Sequence, residues 1–282
     1  MSDRRRILGP SNVIVPNIPP LPTTVSPASP SKKPSSAIPP FFLKHGLIKN
    51  ANGSAYLECN NTIIQVSIFG PRPIRGSFID RASISVETKF QPHILPQPQG
   101  ELFNISPNQV KWTGMTHIEQ RISNYIETCV LSCLILEKYP KSAIDVNISV
   151  ISIDEEDVLK RGGNQGLLWL IGWISCCVSL AFVDSGIEMK DLITSGQVKL
   201  CGGNKVVIGG NGEEEEEEED GEGIDALVSF MNLKNDEIVG VWLESNDQKD
   251  ISVDQTNKAI EECKNMSRTI RANLNSYLLN SF

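Results

Sequence analysis

The sequence predicts an α+β protein with a mixed β-sheet. β-rich segments come first, followed by a helix, a strand, an apolar helix, further strands and a final helix. This order favours α+β over a doubly wound parallel sheet. Hydrophobic residues make up 40% of the 282 positions, which is enough for a packed core and excludes a wholly disordered chain.

Residues 1–40 are predicted to form a flexible tail before a folded domain at 41–282. The tail contains ten of the 17 prolines, a composition that favours extended, unpaired backbone. Arg4, Arg5 and Arg6 precede Ile7 and Leu8. These five residues form either a solvated terminus or a short arm that docks on an acidic partner or on RNA phosphates.

The domain is predicted to open with four strands. The first is Phe42–Ile48. A hairpin then joins Ser54–Cys59 to Thr62–Phe69, because Asn60-Asn61 separates two β-rich runs and tolerates a tight turn. Ala82–Phe90 alternates with a period of two, which is typical of a half-buried strand.

A loop and a helix follow these strands. Residues 91–114 contain four prolines and are predicted to form a loop. Apolar residues at spacings of three and four predict a helix over Met115–Leu136, stopped by Tyr139-Pro140. Ile144–Val150 alternates as another strand.

The second half is predicted to contain two strand regions and a terminal helix. Val198–Ile208 and Leu227–Leu243 are the strand regions, and the helix runs from about Val253 to Leu279. Between the strand regions, the loop 209–223 carries eight consecutive carboxylates at Glu213–Asp220. Without them, 26 acidic residues balance 26 basic ones, so the net charge of −8 reflects one solvated loop.

Gly166–Val183 is an uncharged apolar run of 18 residues. As a helix it would measure about 27 Å, near the lower limit for a membrane span. Its glycine, serine and cysteine content favours a buried central helix, as does the lack of a Lys/Arg bias at its ends, where Arg161 lies before the run and Asp184 after it. A single-pass membrane protein remains the alternative interpretation.

Metal and disulfide chemistry find little support in the sequence. Seven cysteines form no Cys-x-x-Cys pair, which fits a reducing compartment. His45, His93 and His117 lie far apart, so no structural metal site is predicted.

Four segments carry a family resemblance. Asn50–Glu58, Phe69–Arg72, Tyr139–Val146 and Asp184–Leu192 resemble, in order, segments of RNase PH-like domains. The resemblance implies a β-α-β-α domain built from S5-like two-layer units.

Two further segments narrow the resemblance. Asp3–Pro10 and Gly70–Phe78 resemble ring subunits of the eukaryotic RNA exosome, of the fungal mRNA-transport-regulator type. This implies a hetero-oligomeric ring with other RNase PH-like subunits, an S1-domain cap subunit and RNA as partners. It also implies 3′-to-5′ RNA processing and decay in nucleus, nucleolus and cytoplasm, without a cofactor.

Active family members cleave RNA with phosphate, which requires an anion cradle with an arginine and a carboxylic acid. The family's Gly-Thr-Arg segment aligns with Trp169–Ile171, or with Gly163–Gln165 if a gap is allowed, and neither contains arginine. Gly209 follows Lys205–Ile208 where the family has its catalytic aspartate, and Thr116–Ile118 replaces an RNA-binding arginine pair.

These departures predict a non-catalytic structural subunit with no catalytic residues of its own. The alternative is an active phosphate-dependent 3′-to-5′ exoribonuclease. Three basic residues, Arg72, Arg75 and Arg81, remain near the hairpin. They are expected either to form ion pairs across a subunit interface or to contact RNA phosphates.

Overall fold

The computed structural model describes residues 38–76, 78–91, 94, 115–154, 163–201, 205–208, 223–231, 235, 237–245 and 252–281. Within the chain, Ser35–Phe282 forms one compact unit. Three predicted features lie wholly or mostly outside the described residues and stay predictions: the tail with Arg4–Arg6, Ile7 and Leu8, the acidic loop, and the loop 91–114.

The first sheet has five strands. They are β1 (Phe41–His45), β2 (Gly53–Cys59), β3 (Thr62–Pro73), β4 (Ser83–Phe90) and β5 (Ser142–Ser152), in the order β1-β2-β3-β5-β4. Only β4 and β5 pair in parallel, so the sheet is mixed, as the sequence predicts. The predicted hairpin is confirmed, since Cys59 pairs with Thr62 across a turn in which Asn60 has φ 52°.

The first helix, α1, spans His117–Cys133, so it ends three residues before the predicted end at Leu136 and well before the predicted stop at Tyr139-Pro140. Leu134 is already extended. The cause is tertiary bonding: Lys190 donates its N–H to the carbonyl of Cys133 at 2.9 Å, and Ile135 donates to Glu188 at 3.2 Å. A short 3₁₀ turn, Leu136–Lys138, follows. Hydrogen bonds with the backbone of Glu188 and Lys190 therefore take the place of the helical hydrogen bonds that a longer α1 would have made.

The apolar run forms the second helix, α2, at Gly163–Ser185. Its stretch Gly166–Ser185 is long and apolar enough to cross a membrane by length and composition, yet 89% of its most apolar part is buried inside the protein. The prediction of a buried central helix is confirmed.

The second sheet is antiparallel and has four strands. They are β6 (Thr194–Cys201), β7 (Lys205–Ile208), β8 (Gly223–Met231) and β9 (Glu237–Ser245), in the order β7-β6-β8-β9. Each predicted strand region supplies parts of two strands rather than one. The third helix, α3, spans Val253–Ser281, two residues beyond the predicted end.

The elements stack in four layers. α1 packs against β4 and β9, and α2 packs against β2, β3, β6 and β8, so both helices lie between the sheets. α3 covers the other face of the second sheet through β6 and β8. The order sheet, helix pair, sheet, helix agrees with the predicted α+β class and its β-α-β-α arrangement of sheet-and-helix units.

A buried carboxylate ties α1 to the edge strand β4. Both oxygens of Glu119 accept backbone N–H groups, from Phe90 at 2.9 Å and from Thr116 at 2.6 Å. The hydroxyl of Ser123 accepts the N–H of Thr88 at 3.0 Å. The outward donors of the strand edge are thus satisfied by the helix rather than by water.

A chain of four hydroxyl groups runs along the inner face of the second sheet, from α1 by way of β8 and β6 to α2. Tyr125 contacts Ser229 at 2.7 Å, Ser229 contacts Ser195 at 2.6 Å, and Ser195 contacts Ser175 at 2.6 Å. Ser175 donates its proton to the carbonyl of Gly172 at 2.8 Å. Burial raises the pKa of the Tyr125 phenol, so the chain stays neutral.

Candidate nucleic-acid interface

The basic connection, which we define as residues 72–81, leads from the end of β3 to β4. It is anchored by backbone hydrogen bonds to the turn that precedes β5. Ile74 donates its N–H to Lys141 at 3.0 Å, and Lys141 donates to Ile79 at 2.8 Å. Just after the connection, Ala82 donates to Leu136 at 3.1 Å. These bonds fix the backbone, and the three arginine side chains of the connection are exposed to solvent.

Gly70 sets the direction in which the chain enters this connection. Its φ of +126° lies in a region that only glycine occupies comfortably, and a Cβ at this position would lie 2.5 Å from the carbonyl oxygen of Ala143. The pairing of β3 with β5 shifts its register between Phe69 and Arg72. The irregularity re-aims the end of β3 and brings Arg72 opposite Ala143.

Arg72 forms an ion pair with Asp145 of β5, which the sequence analysis did not anticipate. The side chain of Arg72 is 64% exposed and that of Asp145 is 28% exposed. An exposed pair of this kind contributes only about 0–1 kcal/mol to stability. Its effect is to hold the Arg72 guanidinium along the strand.

Arg75 and Arg81 are exposed, and neither has an ion-pair partner in the described part of the chain. Between them lies Phe78, whose surface is 72% exposed, followed by the 40% exposed Ile79. With Asp80 as its one acid, the connection carries three arginines and a net charge of +2. An exposed aromatic residue with an exposed arginine three positions away on each side in sequence can stack on a base while the cations contact phosphates.

Sequence reasoning identified the arginines but missed Phe78. The available signal was an aromatic residue isolated in a segment of glycine, serine and arginine, where no apolar periodicity explains it. Asp145 gave no usable signal, because its partner lies 73 residues away in sequence.

The two candidate phosphate segments occupy different parts of α2. Trp169, Leu170 and Ile171 lie inside the helix and are 5%, 2% and 0% exposed. Gly163–Gln165 forms the first residues of α2. Only the second segment lies at a helix N-terminus, where backbone N–H groups are available to an anion.

Two other segments were predicted to depart from the family's functional residues, and the structure describes most of both. Lys205–Ile208 is the edge strand β7, and Gly209 lies outside the described residues. Thr116 is the N-cap of α1, accepting the N–H of Glu119 at 3.3 Å. His117 is exposed and Ile118 is buried. These residues begin a helix, and Thr116 and Ile118 have evident structural roles.

The described part of the chain contains cysteines and other side chains of the types that bind metals. Six cysteines there are buried free thiols. Burial raises the pKa of Cys129 and of Cys176 to about 11, so both stay protonated at neutral pH. In the same part of the chain, no group of three or more His, Cys, Asp or Glu side chains is placed to hold a metal ion.

Comparison with known proteins places this geometry in context. Residues 38–188 match the model of the 3′ exoribonuclease family, domain 1 (RNase PH). The chain is 27% identical over 218 residues to exosome complex component MTR3 of Chaetomium thermophilum, covering 71% of this chain and 72% of the relative. It is 30% identical over 199 residues to exosome complex component mtr3 of Schizosaccharomyces pombe, covering 70% and 67%.

A solved structure shares the fold. The crystal structure of rice (Oryza sativa) Rrp46 superposes with a TM-score of 0.64 at 18% identity, covering 88% of this chain and 98% of that protein. The superposition extends beyond residues 38–188 and includes the second half of the domain.

Proposed function

The chain belongs to the 3′ exoribonuclease family, and on that premise we propose that it is a non-catalytic ring subunit of an RNA exosome. Its role is to hold neighbouring RNase PH-like subunits and an S1-domain cap subunit together and to line the path of RNA undergoing 3′-to-5′ degradation. The observation that carries the proposal is the similarity to two exosome complex components over about 70% of the chain.

The residues at the family's functional positions support the absence of catalysis. Both registers of the phosphate-binding segment lack arginine, and in the ungapped register the three side chains are buried in α2. A phosphate anion needs a cationic or N–H-rich cradle that is open to solvent. A glycine at the position of the catalytic acid also removes the proton donor for the leaving oxygen.

A phosphorolysis assay tests this proposal. The purified chain, incubated with end-labelled RNA and inorganic phosphate, is expected to release no nucleoside diphosphates above background. The same chain co-expressed with tagged exosome subunits is expected to co-purify with them. Diphosphate release that disappears in Arg161→Ala would support the alternative, an active phosphate-dependent 3′-to-5′ exoribonuclease. Failure to co-purify with any ring subunit would contradict the scaffolding role.

The basic connection is the part of this surface best suited to RNA. Arg72 is paired with Asp145, whereas Arg75 and Arg81, which flank the exposed Phe78 in sequence, are exposed and have no ion-pair partner among the described residues. Phosphate contacts of this kind bind single strands without reading sequence. We assign these two arginines to RNA rather than to a subunit interface, because cations that flank an exposed aromatic residue in sequence are the combination that contacts phosphates while the ring stacks on a base.

Replacing Arg75 and Arg81 together with alanine should weaken RNA binding of the assembled ring in a salt-dependent way. Each lost phosphate contact to a single strand lowers the slope of log affinity against log salt by about 0.7, so two lower it by about 1.4. Fluorescence anisotropy over a salt series measures the slope. Arg72→Ala is the comparison and should change the slope less, because Asp145 already engages that side chain. A double variant that loses ring assembly and keeps its slope would assign the arginines to an interface.

We also place the chain in the nucleus, nucleolus and cytoplasm, the compartments that the exosome resemblance implies. Fractionation followed by immunodetection checks this assignment.

A further inference from the structure

An open groove of about 620 Å³ lies between the start of β1 and the second half of α3. Residues 38–43 form one wall, and Thr269, Asn273 and Tyr277 form the other. These three positions are four residues apart, so they lie on one face of α3. The two walls come together where the hydroxyl of Tyr277 contacts Nδ1 of His45 at 2.9 Å. The groove is therefore bounded by a strand and a helix.

β1 is the outermost strand of its sheet, so no other described strand pairs with the side of β1 that faces away from β2. Gly46, one residue beyond β1, donates its N–H to the carbonyl of Ser54 in β2 at 3.0 Å. In an antiparallel pair, successive residues direct their hydrogen-bonding groups alternately toward and away from the partner strand. Counted back from Gly46, the N–H and C=O groups of Phe41 and Leu43 point away from β2, to the free edge of β1.

Both walls of the groove lack charged residues. Neither residues 38–43 nor residues 272–281 of α3 contain Asp, Glu, Lys or Arg, although 21% of the chain is charged. The exposed face of a helix ordinarily carries charges, yet Leu279 is 85% exposed, and Phe42 at the groove is 56% exposed. Depletion of charge beside exposed aromatic residues is typical of the core of a protein–protein interface. RNA fits poorly here, because its phosphates require cations.

We propose that this groove binds an extended segment of a partner protein, which adds as a strand to the free edge of β1. Such a strand supplies hydrogen-bond partners to the edge, while the groove selects its side chains. A helix would not, because its own backbone groups bond within the helix. β1 has five residues, so about five residues of the partner, or about 17 Å, can pair with it. The side chains that face α3 should be neutral. This role goes beyond scaffolding of the ring, because both walls belong to this chain.

A library of random octapeptides, displayed on phage and selected on the purified chain, supplies the probe. Selected peptides are expected to share a stretch without charged residues, and a selection that yields none would overturn the proposal. One selected peptide is then labelled with fluorescein and made in two forms, with N-methyl groups on alternate amides in opposite phase. Only one phase places methyl groups between the strands, so that form should bind about tenfold more weakly than the other. Equal binding of the two forms would contradict strand addition.

Amide hydrogen exchange followed by NMR shows where the peptide lies. The N–H groups of Phe42 and Lys44 point to β2, so they should exchange slowly with or without the peptide. Those of Phe41 and Leu43 should exchange faster in the free chain and about tenfold more slowly once the peptide is bound, because they gain partners. Protection that appears elsewhere and not at Phe41 and Leu43 would overturn the proposal.

Asn273→Arg provides the matched variant, since Asn273 is exposed on the helical wall and arginine is a good helix former. A long cation in the neutral groove should weaken peptide binding about tenfold. Asn275→Arg is the control, because Asn275 is exposed on the same helix and does not line the groove. It should leave binding unchanged.

Equal binding by a folded Asn273→Arg and by the wild type would place the peptide elsewhere and overturn the proposal. If Asn273→Arg does not fold, the methylated peptides and the exchange pattern of the wild type decide. Sedimentation of the free chain tests the other occupant. Self-association that Asn273→Arg abolishes and Asn275→Arg preserves would assign the groove to a second copy of this chain, against the proposal.

Discussion

Gly196→Ala is expected to destabilise the protein by about 3 kcal/mol or more, because overpacking against rigid backbone costs at least as much as overpacking a core. A Cβ at Gly196 would lie 2.7 Å from the carbonyl carbon of Cys263 and 2.8 Å from its Cα, and closer still to the carbonyl oxygen. All of these atoms are backbone of α3, so no side chain can rotate away. β6 and α3 would have to separate.

Thermal denaturation measures this effect. For a domain of this size, about 3 kcal/mol corresponds to a fall in Tm of roughly 6–12 °C. Gly172→Ala is the control, because its Cβ would meet Leu227 Cδ1 at an ordinary 3.6 Å and alanine favours a helix by about 1 kcal/mol over glycine. A Gly196→Ala protein that melts with the wild type would contradict the close approach of β6 and α3.

Glu119→Ala should cost about 2–4 kcal/mol, since each buried donor left unsatisfied costs about 1–3 kcal/mol. The substitution removes the carboxylate oxygens that accept the N–H groups of Phe90 and Thr116. It also removes the reciprocal half of the capping box at the start of α1. Urea denaturation should show a lower midpoint with an unchanged slope.

Two further variants show how much of the stability loss in Glu119→Ala comes from the two lost hydrogen bonds. Glu119→Gln keeps one acceptor oxygen and places an NH₂ group against the second donor, so it should lose an intermediate amount of stability. Gln120→Ala, at the exposed neighbouring position, should be within about 0.5 kcal/mol of wild type. Equal stability of Glu119→Ala and Gln120→Ala would mean that the two hydrogen bonds contribute nothing net.

The periodic spacing of apolar residues predicted most of the helices and strands, because an element that is buried on one face needs apolar residues on that face only. Thr62 to Phe69 and Ile144 to Val150 alternate in sequence because their inward side chains all face the helices. The end of α1 could not be predicted in this way. Leucine favours helices, so nothing in the local sequence indicates that Leu134 is extended. Its conformation depends on an antiparallel bridge to Met189, 55 residues further along the chain.

The sequence was enough to predict which residues form the candidate interface, and it was not enough to predict which of them are paired. Arg75 and Arg81 stand out as cations in a segment without apolar periodicity. That Arg72 differs from them follows only from the register between β3 and β5, which brings Asp145 within reach. Glu119 likewise gave no signal as a buried group, because a glutamate near a helix start is ordinarily exposed.

The placement of α2 has a consequence for how the domain folds. Between Leu167 and Phe182 its side chains are buried on every side, by the first sheet on one face and the second sheet on the other. Either sheet alone would leave half of this apolar surface in water, so neither half of the chain has a complete core. The two halves therefore cannot be autonomous folding units: a fragment that ends after α2 should be insoluble, and the intact domain should unfold in a single cooperative transition.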